Sequence, residues 1–128
     1  MKLVIGGSFQ GKKAYAQETF HIEETDMTDG ALCERDAVFT ARLVLHFHEY
    51  IRRFLGDAEF LEALPGRLKD QNPRVILVFN ELGSGVVPVD AFDREYRERA
   101  GRLCCALAGE AEQVHRVLCG VGTVIKDV

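Results

Sequence analysis

The sequence predicts an α/β fold: one domain over residues 1–128, a mostly parallel sheet with helices packed on it, and a C-terminal strand pair. Three observations carry this. Uninterrupted apolar runs, MKLVI at the start and RVILVF from Arg74 to Phe79, read as strands buried on both faces. Helix-patterned stretches alternate with them, as parallel strands joined by crossovers require. The composition, 47% hydrophobic and 28% charged over 128 residues, is that of a globular chain able to fill one core.

In chain order, MKLVI forms the first strand and ends at Gly6-Gly7. Gly11 to about Glu18 has helix-compatible composition, with Ala14 and Ala16 as strong formers. Phe20–Glu23 is expected as a short second strand, followed by acidic and turn residues through Asp29-Gly30. From Glu34 to Leu55 the spacing of Ala41, Val44, His48, Ile51 and Leu55 predicts one long helix. A shorter helix, Ala58–Lys69, follows, with Pro65-Gly66 as its expected break. After the RVILVF strand, the loop Asn80–Pro88 leads into a helix from Asp90 to Ala108. Its stripe is Phe92, Tyr96, Ala100, Leu103 and Leu107. Val114–Leu118 and Thr123–Lys126 read as closing strands, with Gly120 and Gly122 permitting the return between them.

A formal net charge of −4 argues against broad nucleic-acid binding, which needs a basic face. No apolar stretch is long enough to span a bilayer, and no secretory signal pattern precedes the first strand. Cys33, Cys104, Cys105 and Cys119 lack CxxC spacing and read as reduced thiols, so a cytoplasmic protein is expected.

The motif with chemical content is GGSFQGKK, which fits G-x-x-x-x-G-K with Gly6, Gly11 and Lys12 at the defined positions. Glycines let successive backbone N–H groups turn inward around phosphate oxygens. The following helix adds its positive end, and Lys12 offers an ammonium to the β- and γ-phosphates. A strand before and a helix after supply the context of a P-loop NTPase-like domain. Gly6, Gly7, Ser8, Phe9, Gln10, Gly11, Lys12 and Lys13 are therefore the expected binding residues for GTP or ATP. Magnesium is the expected companion ion, yet Lys13 stands where a Ser or Thr hydroxyl normally coordinates it. No residue is assigned as a metal ligand.

The C-terminal half carries VILVFNELGSGVVP, FDREYRERAGR and VHRVLCGVGTVIK. Together with GGSFQGKK, these runs resemble the adenosylcobinamide kinase/adenosylcobinamide-phosphate guanylyltransferase family of cobalamin biosynthesis, over roughly residues 1–18 and 74–126. The resemblance maps the family's loop onto Asn80, Glu81, Gly83, Gly85 and Pro88, its Gly-Arg onto Gly101-Arg102, and its terminal strand pair onto Gly120 and Gly122. It implies a kinase step on the side-chain hydroxyl of cobinamide, a corrinoid substrate, and a GMP transfer through a guanylylated histidine. The family's histidine-bearing middle section is short here, and HFHEYIRR stands in its place.

Lys12, His48 and Glu81 are the expected catalytic residues. His48 shares a helical face with Arg52 at i,i+4, suiting a nucleophile beside a phosphate-binding arginine. His46, two residues away, would point to the other side of the predicted helix. Glu81 falls at a strand end, where parallel sheets place their ligands. Asp29 is a weaker carboxylate candidate, and His115 has no constellation around it. Two other readings stay open: a non-catalytic nucleotide-binding or assembly protein, and an unrelated small P-loop kinase. A homo-oligomer sharing a site is compatible with so small a chain.

Overall fold

The computed structural model describes residues 1–8, 10–81 and 90–128. Its strands are β1 (Lys2–Gly6), β2 (Met27–Asp29), β3 (Leu43–Leu45), β4 (Ile76–Asn80), β5 (Gln113–Leu118) and β6 (Val121–Asp127). Its α-helices are α1 (Lys12–Phe20), α2 (Phe47–Arg53), α3 (Ala58–Gln71) and α4 (Ala91–Glu110), with single 3-10 turns at Glu24–Asp26 and Arg35–Phe39. The six strands form one sheet in the order β2-β3-β4-β1-β5-β6. Every pairing is parallel except the antiparallel β5–β6 hairpin at the edge.

Side-chain alternation along the strands divides the core into two. Leu3, Val44, Leu77, Phe79 and Val114 face α2, α3 and α4 and belong to the larger cluster. Val4, Leu43, Ile76, Val78 and Val117 face the other way, toward Ala16 of α1. Central strands buried on both faces are what MKLVI and RVILVF predicted.

Three expectations are corrected. The helix expected over Glu34–Leu55 is instead a 3-10 turn, strand β3 and the short α2. The run Leu43-Val44-Leu45 is short enough to serve either structure. Here it pairs with β2 on one side and β4 on the other, burying Leu43 and Val44 on opposite faces. The second strand is Met27–Asp29, not Phe20–Glu23. His21 adopts a left-handed cap (φ 55°) that ends α1, and the chain needs several residues to reach β3. Pro65 does not break α3, which runs through it with Leu61, Leu64, Pro65 and Leu68 buried. Burial of that stripe offsets the lost backbone hydrogen bond.

α4 matches its predicted span closely, and Asp90 caps it by accepting the Phe92 N–H at 2.7 Å. Phe92 itself is 44% exposed rather than in the core stripe, and the Arg52 guanidinium lies over its ring. Gly83, Gly85 and Pro88 of the expected loop lie outside the described residues. Among the described residues, no helix is long and apolar enough to cross a membrane.

Leu77 is fully buried in β4. Leu77→Ala is expected to lower unfolding free energy by about 2–5 kcal/mol, measured as a shift of the urea midpoint at unchanged slope.

Candidate functional site

The parallel arrangement brings the C-terminal ends of β1 to β5 to one edge of the sheet, where the chain places most of its polar chemistry. β1 ends at Gly6, and the turn that follows crosses to α1. Gly6 must be glycine because a Cβ there would meet the Val117 carbonyl oxygen at 2.5 Å. Gly11 caps α1 with φ 84° and ψ 24°, the left-handed region that glycine enters without strain. No acidic residue occupies the first turn of α1, so its positive end meets no competing carboxylate.

Contacts on both sides hold the turn. The Gln10 carbonyl accepts from the Gly120 N–H at 2.8 Å, and its side-chain oxygen accepts from the Cys119 N–H at 2.6 Å. These bonds tie it to the β5–β6 turn, where Cys119 and Gly120 are both left-handed. On the other side, Asn80 Nδ2 donates to Ser8 Oγ at 3.0 Å, and the Glu81 N–H donates to the Gly6 carbonyl at 2.8 Å. Lys12 Nζ folds back over the turn and donates to the Gly7 carbonyl at 2.7 Å. Burial lowers the Lys12 pKa from its ordinary value, and the nearby Glu81 carboxylate partly restores it. Phe9 lies outside the described residues.

Lys13, the next residue, ion-pairs with Glu24 at 2.5 Å, and both side chains are well exposed. Glu81 holds Arg116 through both oxygens, at 2.7 and 3.2 Å. Arg102 is not at this edge. It pairs with Glu98 and lines a groove of about 250 Å³ between α3 and α4 with Leu61, Pro65 and Arg99.

The two histidines of HFHEYIRR sit differently from expectation. His46 lies outside the helix, in a left-handed N-cap conformation (φ 54°, ψ 43°) between β3 and α2. A non-glycine residue held there stores strain that the surrounding contacts must sustain. The rings of His46 and His48 meet edge-to-face with centroids 6.1 Å apart, not on opposite sides of a helix. His46 Nδ1 donates to Asp29 Oδ1 at 2.9 Å. An ionised carboxylate only accepts, so the neutral tautomer of the ring carries its proton at Nδ1 and keeps the Nε2 lone pair. Burial alone would raise the Asp29 pKa, but His46, the Ala31 N–H and Arg53 together bring it below the usual value.

His48 is arranged the other way. Its Nδ1 accepts the Asn80 N–H at 3.2 Å, which places the proton of the neutral ring at Nε2. Its carbonyl accepts from the Tyr96 hydroxyl at 2.9 Å. His48 thus ties α2 to the end of β4 and to α4. Burial lowers its pKa, and the charges of His46 and Lys12 push the same way against the partial opposition of Glu49. Arg52, its expected partner, instead reaches Asp93 at 3.4 Å and lies over Phe92 and Tyr96.

Sequence reasoning missed the pairing of Asp29 with His46. The signal was present in two strand-end polar residues, but it required β2 and β3 to be adjacent. His115 is a satisfied buried histidine: Tyr15 OH donates to Nδ1 at 2.7 Å and Nε2 donates to Gln113 Oε1 at 3.0 Å. Burial, with Lys2 nearby, lowers its pKa too.

A model of the family described as "Cobinamide kinase / cobinamide phosphate guanyltransferase" matches residues 57–125, more than half of the chain. The chain belongs to this family. It is 43% identical over 53 residues to the bifunctional adenosylcobalamin biosynthesis protein CobU of Salmonella typhimurium, covering 41% of this chain and 29% of that protein. The corresponding Escherichia coli protein gives the same identity and coverage. The bifunctional adenosylcobalamin biosynthesis protein CobP of Pseudomonas aeruginosa is 40% identical over 68 residues, 53% of this chain and 35% of its own length. The matched stretches thus span about a third of these curated relatives. The match runs from the start of α3 almost to the end of β6 and includes β4 and the closing β5–β6 hairpin, while β1 to β3 and the turn at Gly6–Lys13 precede it.

His48 and His115 both have folded pKa values below the ordinary value of about 6.5. The unfolded chain then takes up protons first as pH falls. Stability from these neutral rings is complete above about pH 6.5 and is lost progressively as pH falls through the folded values. His115→Gln is expected to flatten that decline, read from urea midpoints at pH 7.5 and 5.5.

Proposed function

We propose that this member of the cobinamide kinase / cobinamide phosphate guanyltransferase family binds GTP or ATP at Gly6–Lys13 and transfers a phosphoryl or guanylyl group from it. The observation that carries the proposal is the braced turn. A left-handed Gly11, an acid-free helix start and the partly buried Lys12 ammonium converge where β1 ends. An anion seated there would draw Lys12 Nζ from the Gly7 carbonyl onto its oxygens. Positioning and charge stabilisation are the main requirements of phosphoryl transfer, and such a turn supplies both.

For the guanylyl step, the ring chemistry favours His46 over His48 as nucleophile. The Nε2 lone pair of His46 is available and its side chain is 55% exposed, while Asp29 orients the ring as the third member of a triad does. Attack of Nε2 on the α-phosphorus of GTP would form an N–P bond, break the bond to the bridging oxygen and release pyrophosphate. An acceptor phosphate oxygen would then displace the histidine. His48 would act as a strut that fixes α2 against Asn80, and Asn80 would hold Ser8 of the turn. Glu81 would set the position of Arg116 and moderate the charge of Lys12. The acceptor would be cobinamide or its phosphate, a corrinoid, as the family description implies.

A second reading, a nucleotide-binding protein without turnover, is favoured by Lys13, whose ammonium replaces a hydroxyl and pairs outward with Glu24. The two readings separate on covalent labelling.

Lys12→Ala should weaken GTP or ATP binding roughly tenfold or more by calorimetry, about 1.4 kcal/mol for one charge-assisted contact. Unchanged affinity would remove the turn from the binding site. With α-labelled GTP, acid-labile label should remain on the wild type and on His48→Asn but vanish from His46→Asn. Label lost only from His48→Asn would return the role to His48, and no label on any form supports the non-catalytic reading.

A further inference from the structure

Phosphate-binding turns of this kind usually take their nucleotide with magnesium. The ion is held by the hydroxyl that follows the lysine and by an acidic residue at a nearby strand end. Magnesium demands hard oxygen donors and is commonly bound through one or two carboxylates plus the substrate phosphates. At this edge of the sheet the hydroxyl after the lysine is missing, and the strand-end carboxylates are already engaged by other groups.

Lys13 follows Lys12, and an ammonium has no lone pair to give. β3 runs into His46, a nitrogen ligand. β4 ends at Asn80, and both oxygens of the next residue, Glu81, are taken by Arg116. Asp29, at the end of β2, is bound through Oδ1 by the His46 ring and by the Ala31 N–H. β5 ends at Leu118, and Cys119 follows it in the turn. Among the described residues, no group of three or more His, Cys, Asp or Glu side chains is arranged to hold a metal. Positions 9 and 82–89 add no carboxylate to the set.

The same edge has cations in their place. Lys12 lies over the turn. The Lys13 side chain is 47% exposed and its partner Glu24 is 68% exposed, so exchanging that ion pair for a phosphate contact costs little. We infer that the chain takes its nucleoside triphosphate as the metal-free anion, with Lys12, Lys13 and the leading amides of α1 neutralising the charge that magnesium would otherwise carry. The inference rests on the proposed phosphate-binding turn.

The test is calorimetric titration of the whole chain with GTP and ATP, once in excess EDTA and once in excess magnesium. Affinity in EDTA should equal or exceed that in magnesium, within about twofold. Tightening of about tenfold or more on adding magnesium would overturn the inference while leaving the turn as the nucleotide site. Absence of binding in both buffers would instead bring down the turn itself, and the inference with it. Two variants of the exposed Lys13, first shown to melt cooperatively like wild type, complete the test. Lys13→Ala should weaken metal-free binding severalfold, and unchanged affinity would overturn the role given to Lys13. Lys13→Thr restores the hydroxyl and should make binding tighter with magnesium than without it; equal affinity in both buffers would show that the missing hydroxyl does not set the metal dependence.

Discussion

The parallel hydrogen bonding of β1 between β4 and β5 fixes almost everything else at the functional edge. Registering Gly6 against Asn80 and Val117 forces the next residues to leave the sheet in a space bounded on both sides. With the Val117 carbonyl 2.5 Å from where a Cβ would sit, only glycine allows that approach. The two neighbours then brace the turn through Asn80 on one side and the Cys119–Gly120 turn on the other. The loop's shape is therefore a consequence of sheet register, not an independent local preference. Short loops with this much backbone satisfaction do not need their own packing to hold a geometry.

Much of this was legible in the amino-acid order because it depends on local pattern. MKLVI and RVILVF are too apolar to lie anywhere but in the centre of a covered sheet, and the glycine-lysine spacing between strand and helix marks the turn. What escaped was the segment from Phe20 to Leu55. There two three-residue strands and a seven-residue helix are each too short to set a period. Val44, His48, Ile51 and Leu55 keep a helical spacing although Val44 lies in a strand. The same inner core receives Val44 from β3, Ile51 from α2 and Leu55 just after it. Tertiary burial, not local periodicity, decides which of the two patterns wins. The position of His46 followed from that error, because a residue placed inside a helix cannot be seen as the left-handed joint that it is.

The three histidines with assigned ring contacts show how one partner settles the chemistry of a ring. An acceptor-only carboxylate leaves His46 with a lone pair facing out, while a donor-only backbone N–H leaves His48 with a proton there. His115, enclosed between Tyr15 and Gln113, has both nitrogens satisfied and neither facing solvent. Residue type alone makes them equivalent. The sheet makes them different, since only β2 brings a carboxylate to His46 and only the end of β4 brings an amide to His48.

The same logic governs the charge of the edge. The chain as a whole carries a net charge of −4, which would repel a triphosphate at long range. Locally, two acids near the turn are paired with cations, Glu81 with Arg116 and Glu24 with Lys13, while Asp29 accepts from the His46 ring. These pairs contribute little field of their own, because opposite charges a few ångströms apart largely cancel beyond a Debye length. The Lys12 ammonium is different, since its hydrogen bond goes to a carbonyl dipole and not to an anion. Its charge therefore stays at the turn, moderated by Glu81 and next to the positive start of α1. A net acidic protein can thus present a positive mouth, provided the carboxylates beside it are engaged by other groups and a lysine there is held by a neutral acceptor. An anion seated as proposed would take over the Lys12 bond to the Gly7 carbonyl and the exposed Lys13 bond to Glu24.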